Sequence, residues 1–211
     1  MSSAKQLRRS VVGAAREMSA RGLSQGTSGN VSARAGADML ITPSALPYAT
    51  MEPRDAVLVD PDGRVLDGAR KPSTEWPMHA AIYRARPDAD AVVHAHAPFC
   101  TTLATLRKDI PPFHYMVAVA GGDSIRCAPY ATFGTPELGM AAVAALRDRR
   151  ACLLANHGMV ALGSSPEAAL QLAVEVEALA ELFWRALQVA EPARLDAGEM
   201  AEALARFRQY R

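Results

Sequence analysis

The sequence predicts an α/β fold in which helices cover both faces of a mixed sheet. The first observation behind this prediction is that helical and strand-like segments alternate along the whole chain, which is typical of layered α/β domains. The second is that several strand-like runs are joined by turns short enough for hairpins. The 211 residues show no internal repeat and no long linker, so we expect a single domain over residues 1–211.

Two helices and a run of short strands are expected in the first half of the chain. Residues 5–21 place apolar side chains at helical spacing, and Gly22 follows as a stop signal. Ser73 or Thr74 can cap a second helix over about 75–85. Short strand-like runs, with a hairpin turn at Asp62-Gly63, predict strands at 31–34, 39–42, 56–60 and 65–66.

The second half is expected to alternate buried strands with helices that begin at proline. Proline fits the first helical turn because the amide hydrogen that it lacks has no helical partner there. The predicted strands are 91–96, 115–120, 152–154 and 159–162. The predicted helices run from Pro98 to about 106, from Pro136 to about 149, from Pro166 to about 190, and over about 196–208.

Charge and composition argue against several classes of function. The formal net charge is +1, so the chain lacks the basic footprint of a nucleic-acid-binding protein. No apolar run approaches the ~20 residues of a membrane helix, and no apolar leader is visible, which predicts a cytoplasmic protein without a membrane partner. Cys100, Cys127 and Cys152 are scattered without CxxC spacing and are expected to be reduced.

Three histidines are candidate metal ligands. His94 and His96 are two residues apart on a predicted strand and therefore share one face. His157 follows another predicted strand, and Gly158 is expected to supply an unusual backbone conformation that aims it. Three imidazoles with an open fourth position are typical of catalytic zinc. The alternative for the His94 and His96 pair is two hydrogen-bonded histidines near a strand end.

Glu75 is the candidate catalytic carboxylate. It stands at a predicted helix start, where the helix dipole stabilises a negative charge and where it could also meet the metal. The alternative is that it simply favours a helix N-terminus. Loss of solvent is expected to raise its pKa toward the range useful for proton transfer. His79 lies on the same helix face, four residues on, where it either orients Glu75 or packs in the core.

Three small-polar segments are candidates for binding an anion. Residues 26–32 offer backbone amides, hydroxyls and an amide side chain without matching a Walker A loop or a GxGxxG fingerprint. Residues 41–45 add a hydroxyl-rich turn, and residues 71–74 add a second helix N-terminus. Each alone is more often an ordinary turn. Beside a candidate metal, they indicate a small phosphorylated substrate.

Taken in order, these segments resemble the class II aldolase/adducin family, and within it most closely the L-fuculose-1-phosphate aldolase branch. The resemblance implies a three-layer α/β/α fold with a central mixed, largely antiparallel sheet. It also implies a homotetramer with sites at subunit interfaces. The matching segments are 25–32, 40–43, 73–76, 86–89, 91–96, 110–116, 127–135 and 156–158.

The resemblance implies roles for individual residues. His94, His96 and His157 would bind one Zn²⁺ per subunit, or another divalent metal. Glu75 would be the catalytic carboxylate and would approach that metal. Tyr115 would donate a proton in a neighbouring subunit's site, and Tyr210 would close over the substrate from the C-terminus. The implied phosphate-binding positions are Thr27, Gly29, Asn30, Ser44, Ala45, Ser73 and Thr74.

The activity implied is reversible cleavage of a ketose 1-phosphate, of the L-fuculose 1-phosphate type, to dihydroxyacetone phosphate and a small aldehyde such as lactaldehyde. One alternative is an aldolase or dehydratase for a 5-deoxy- or methylthio-pentulose 1-phosphate. Another is a ribulose-phosphate 4-epimerase, although those enzymes typically carry Asp where Glu75 stands. A non-catalytic, adducin-like interaction domain is disfavoured because the histidines and the acid are all present. The chain departs from the family pattern at Ala45, where the family has glycine, and at Asn156, where it has histidine.

Overall fold

An eight-stranded sheet forms the centre of the computed structural model, which describes residues 3–209. Its strands, as found in those residues, are β1 (Asn30–Ala35), β2 (Asp38–Ile41), β3 (Val57–Val59), β4 (Val65–Asp67), β5 (Ala91–Ala95), β6 (Cys127–Ala128), β7 (Ala151–Leu154) and β8 (Gly158–Gly163). Their order across the sheet is β4-β3-β2-β1-β5-β8-β7-β6. Neighbours are antiparallel except β6 and β7, which are parallel. The predicted mixed, largely antiparallel sheet is confirmed.

Helices cover both faces of this sheet, as predicted. Within the described residues they are α1 (Ser3–Ala20), α2 (Trp76–Ala85), α3 (Pro98–Thr105), α4 (Pro136–Ala145), α5 (Pro166–Leu187) and α6 (Ala197–Gln209). Apolar side chains of α1, α3, α5 and α6 fill one core, and those of α2 and α4 fill the other. Four helices have proline in their first turn, and Ser165 caps α5 by accepting from Ala168 N. No helix between residues 3 and 209 is long and apolar enough to span a membrane.

One predicted strand is wrong, and one strand was missed. Tyr115–Ala120 forms a 3-10 helix, because His114 Nδ1 accepts from Met116 N at its start and Gly121 ends it with φ 93°. Its last four residues are buried together, so an apolar run there did not distinguish strand from helix. Strand β6 has only two residues, too few to show a period of two.

The central strands bring distant segments to one end of the sheet. Asn30 at the start of β1 pairs with His94 near the end of β5, and His94 pairs in turn with Val160 near the start of β8. Strand β5 runs antiparallel to both of its neighbours, β1 and β8. The start of β1, the end of β5 and the start of β8 therefore lie at the same end of the sheet. The N-terminus of α2 lies there too, since Asn30 contacts Glu75.

Candidate active site

The three predicted histidines lie together at this edge of the sheet. His94 belongs to β5 and is fully buried, His96 follows that strand, and His157 lies in the turn between β7 and β8. One ring nitrogen from each lies within 4.8 Å of the others, and the ring centroids are 4.7–5.0 Å apart. The arrangement is a three-histidine group of the size that holds a metal ion.

The backbone around His157 differs from the expectation. The residue in the left-handed region is Asn156, with φ 55°, and asparagine tolerates that region better than most side chains. Gly158 has no such conformation, so its predicted role is wrong. Glycine is required there because a Cβ would overlap the carbonyl oxygen of Ala95 on the neighbouring strand. The close approach of β8 to β5 therefore places His157 beside His96.

Hydrogen bonding leaves the ligand nitrogens facing one another. His94 Nδ1 lies 2.9 Å from the carbonyl oxygen of Met159, to which only an N–H can donate. On the other side of the ring, His94 Nε2 lies 3.1 Å from His96 Nε2. Metal-binding histidines typically donate a hydrogen bond from one ring nitrogen to a carbonyl or carboxylate oxygen, which leaves the other ring nitrogen available to the metal.

Glu75 lies next to the three histidines. It immediately precedes α2 and is 7% exposed. Its Oε2 lies 3.2 Å from His94 Nε2 and accepts from Asn30 Nδ2 at 2.9 Å. Its Oε1 lies 3.3 Å from His157 Nε2 but, among the described residues, accepts no hydrogen bond. A buried carboxylate oxygen without a donor, facing three imidazoles, fits a bound divalent cation.

The electrostatics of Glu75 differ from the prediction. Burial raises the pKa of this carboxyl, but the neighbouring rings of His94 and His157 lower it more, and the net pKa lies well below its usual range. Glu75 is therefore ionised at neutral pH. Burial, followed by the charge on His94, lowers the pKa of both His96 and His157 to about 4. The neutral imidazole that results is the form that binds a metal.

A cavity of about 370 Å³ opens beside this centre. All seven predicted phosphate-binding residues line it, together with Glu75, His96 and His157. Sequence reasoning assigned no role to Tyr130, Ala131 and Phe133, which form one wall of the cavity. The only sequence signal for that wall was two aromatic residues in a stretch bounded by Pro129 and Gly134 without strand or helix periodicity.

The small-polar segments are held in place by buried contacts. Tyr48 OH donates to the carbonyl oxygens of Gly29 at 2.6 Å and Ser28 at 3.1 Å, and so anchors the first segment from its buried side. The second and third segments are tied to each other, because Ser44 N donates to Lys71 O and Ser73 N donates to Thr42 O. Ala45 has φ 56°, which explains why the family pattern has glycine there.

We expect Gly29→Ala to disrupt the first segment. Gly29 has φ 79°, and an added Cβ would lie 2.6 Å from Ser24 Oγ and 2.7 Å from the His94 carbonyl oxygen. The substitution should lower the free energy of unfolding by about 2–3 kcal/mol and raise KM for a phosphorylated substrate. Thermal unfolding and steady-state kinetics measure both effects.

Gly26→Ala is the matched control, since Gly26 has φ 61° but its Cβ would meet nothing within 4 Å. It shares the backbone strain and lacks the contacts at the site. Equal effects of the two variants would show that strain alone, and not the packing of Gly29 under His94, accounts for the loss.

Two predicted tyrosines are not brought to this cavity. The described residues that line it do not include Tyr115, which is 54% exposed and packs against His114 and Phe207. Tyr210 lies outside the described residues. His79, which the sequence placed on the face of Glu75, is fully buried, and its ring nitrogens lie within hydrogen-bond distance of Ser32 and Asn30.

This fold and this site together define a class of metal-dependent lyases that cleave carbon–carbon bonds. The chain belongs to the class II aldolase and adducin N-terminal domain family, whose model matches residues 9–184. The family resemblance and the aldolase class of enzyme predicted from the sequence are confirmed.

Individual relatives span nearly the whole chain. It is 54% identical over 204 residues, 97% of this chain and 92% of the relative, to 5-methylthioribulose-1-phosphate/5-deoxyribulose-1-phosphate aldolase of Rhodospirillum rubrum. It is 46% identical to L-fuculose phosphate aldolase of Escherichia coli K12, over 97% of this chain and 95% of the relative. A solved L-fuculose 1-phosphate aldolase superposes with a TM-score of 0.93 at 38% identity, covering 99% of this chain and 98% of the other.

Proposed function

We propose that this protein is a zinc-dependent aldolase that reversibly cleaves a ketose 1-phosphate to dihydroxyacetone phosphate and a small aldehyde. The observation that carries the proposal is a cavity lined by His96, His157, the ionised Glu75 carboxylate and a cradle of small polar residues, with the third candidate ligand, His94, buried next to them. The cradle suits a phosphate because its hydroxyls and amides donate hydrogen bonds without a full positive charge.

The residues of the cavity have different roles in the proposed reaction. The cradle holds the phosphate and thereby fixes the carbon chain relative to Glu75. The ionised Glu75 carboxylate moves the proton on the carbon next to the carbonyl. His94, His96 and His157 would hold the metal, which when bound supplies Lewis-acid stabilisation of the negative charge that develops on the carbonyl oxygen.

The substrate within this class is the finer part of the proposal. Tyr130 and Phe133 are 55% and 66% exposed at the cavity wall, and an apolar wall suits a sugar end that lacks a hydroxyl. L-fuculose 1-phosphate also ends in a methyl group, so this wall suits all three candidates. We place 5-methylthioribulose and 5-deoxyribulose 1-phosphate first because the Rhodospirillum relative named to act on them is 54% identical to this chain, against 46% for the Escherichia coli L-fuculose phosphate aldolase. The sequence alone favoured L-fuculose 1-phosphate, and the Escherichia coli relative keeps it as the second candidate.

A panel of ketose 1-phosphates tests the proposal, with release of dihydroxyacetone phosphate as the measurement. We expect kcat/KM to be highest for 5-methylthioribulose 1-phosphate and 5-deoxyribulose 1-phosphate. A higher kcat/KM for L-fuculose 1-phosphate would make it the substrate. A product that retains the intact carbon chain would instead identify an epimerase or a dehydratase.

Tyr115 and Tyr210 are proposed to act at subunit boundaries of a homotetramer. Tyr115 is exposed and lies outside the described lining of its own chain's cavity, as expected of a residue that serves a neighbour. We expect Tyr115→Phe to slow cleavage more than proton exchange on dihydroxyacetone phosphate, because only cleavage needs a proton moved at the aldehyde oxygen. Kinetic assays and hydrogen–deuterium exchange measure the two rates.

Mixed oligomers test the placement of Tyr115 in the neighbour's site. Subunits carrying Tyr115→Phe have an intact Glu75, and subunits carrying Glu75→Gln have an intact Tyr115. If the two residues come from different subunits, oligomers reassembled from both variants regain activity that neither variant shows alone. Slowing of cleavage and exchange to the same extent, or no recovery on mixing, would remove Tyr115 from this role.

A further inference from the structure

A row of buried polar side chains leads from the core to Glu75. Tyr83 OH lies 2.8 Å from Ser32 Oγ, which lies 2.6 Å from His79 Nδ1. His79 Nε2 lies 2.5 Å from Asn30 Oδ1, and Asn30 Nδ2 lies 2.9 Å from Glu75 Oε2. Each of the five residues is less than 9% exposed. Glu75 takes part in the proposed chemistry, whereas His79 has no part in the steps assigned to the cavity.

The row forms because four residues of a helix and two residues of a strand cover nearly the same distance, so side chains at these spacings on α2 and β1 stay in contact. Residues four apart on a helix are about 6 Å apart along its axis, and residues two apart on a strand are about 6.8 Å apart. Glu75, His79 and Tyr83 are four residues apart, so they form one stripe along the start and length of α2. Asn30 and Ser32 are two apart on β1, on the face toward α2. The two stripes interleave, so each strand residue bridges two from the helix stripe.

The hydrogen bonds in this row have one direction. Asn30 Nδ2 donates to Glu75 Oε2, so the amide directs its Oδ1, which can only accept, toward His79. His79 Nε2 must then carry the hydrogen. Burial, with a smaller contribution from His94, lowers the pKa of His79 to about 3, so its ring is neutral. Its Nδ1 therefore accepts from the Ser32 hydroxyl, and every donor from Ser32 onward points toward Glu75.

We propose that His79 is a positioning residue for the reaction: through Asn30, it fixes the Glu75 carboxylate in its orientation toward the three-histidine group. The inference deepens the proposed function and rests on the role assigned there to Glu75. Without the His79 N–H, the Asn30 amide is free to rotate and present Oδ1 to the carboxylate, where two acceptors repel. Glu75 Oε2 would then lose the amide donor that holds it while Oε1 faces His157.

His79→Phe and His79→Gln separate positioning from packing. Phenylalanine fills the space of the ring but removes the donor, and we expect kcat to fall about 10- to 100-fold with KM changed less than about twofold. Glutamine carries an N–H that reaches Asn30 Oδ1, and it should recover most of the lost kcat. Ile82→Ala is the matched control, because Ile82 is a fully buried α2 residue in the apolar core. It should lower the unfolding temperature at least as much as His79→Phe while kcat stays unchanged.

A double-mutant cycle tests whether His79 acts through Glu75. In a Glu75→Gln background, His79→Phe should lower the residual kcat less than twofold, because the interaction that it supports is already gone. A further full loss in that background would overturn the proposal, as would an unchanged kcat in His79→Phe.

Nitrogen-15 NMR of the histidine rings gives a readout that does not depend on activity. His79 should show the neutral Nε2–H tautomer with a slowly exchanging ring proton, assigned by its disappearance in His79→Phe. The Nδ1–H tautomer or a charged ring would overturn the proposal. If the wild-type protein cleaves none of the ketose 1-phosphates although this signal is present, the proposed function fails and the hydrogen-bonded row stands. If it cleaves them and His79→Phe does too at the full rate, the inference alone fails.

Discussion

Replacing Glu75 with glutamine is expected to lower kcat for ketose 1-phosphate cleavage by about 10²- to 10⁴-fold, the usual contribution of a positioned acid or base. Glutamine keeps an oxygen that can accept from Asn30 Nδ2, so the local structure should be preserved. Its amide cannot take a proton at neutral pH, so the proton next to the carbonyl loses its acceptor. Because the three histidines remain, the metal content per subunit should not change.

Steady-state kinetics and elemental analysis of the same Glu75→Gln preparation measure the two quantities together. Asp55→Asn is the matched control, since Asp55 is a carboxylate as buried as Glu75 but lies outside the lining of the cavity and pairs with Arg70. It should lower stability and leave kcat unchanged. If Glu75→Gln turned over substrate at the wild-type rate with a full complement of metal, Glu75 would have no part in the proton transfer.

The metal site could be predicted because its residues follow from short-range geometry. The strand period of two places His94 and His96 on one face wherever that strand lies in the sheet. His157 and Glu75 are distant in sequence, and only the antiparallel pairing of β1, β5 and β8 brings them within reach. Local pattern alone left their role open, and the family resemblance supplied the expectation that they meet.

The parts that were not predicted depend on contacts between distant segments. The last four residues of segment 115–120 are all buried, so their apolar run contained no period to choose between strand and 3-10 helix. The direction of the Glu75 pKa depends on two histidines from other strands, and these outweigh the burial that the sequence suggested. Gly158 was assigned to a turn because glycine permits unusual conformations, whereas its function is to let two strands approach.

Asn30 has contacts in the structure that its predicted role does not include. The resemblance implied a phosphate-binding role for it, and it does line the cavity. Its side chain, however, is 2% exposed and is bound at both ends, to His79 and to Glu75. Asn30 therefore lies between the proposed phosphate cradle and Glu75, and we expect a substitution of Asn30 to affect both substrate binding and turnover.

Removal of the metal with a chelator is expected to abolish cleavage and to leave the protein folded. Lewis-acid stabilisation is worth several kcal/mol, so kcat/KM should fall by at least about 10³-fold and return when Zn²⁺ is added. The chain should stay folded because apolar residues on both faces of the sheet form its cores without the metal. His94 can share a proton with Glu75 in the metal-free state, since burial lowers the pKa of His94 but Glu75 raises it more.

Circular dichroism, thermal unfolding and metal titration distinguish this outcome from a structural metal site. Binding to the folded state alone should raise the apparent free energy of unfolding by about 4 kcal/mol when free metal is 1,000 times its Kd. His96→Ala and His157→Ala should reproduce the loss of metal, whereas His114→Asn should keep it, because asparagine can still accept from Met116 N at that helix start. Full activity in metal-free protein, or unfolding on chelation, would contradict a catalytic metal held by these three histidines. His96 and His157 line the cavity and His94 is buried next to them, so a metal held by the three rings would face the space proposed for the substrate.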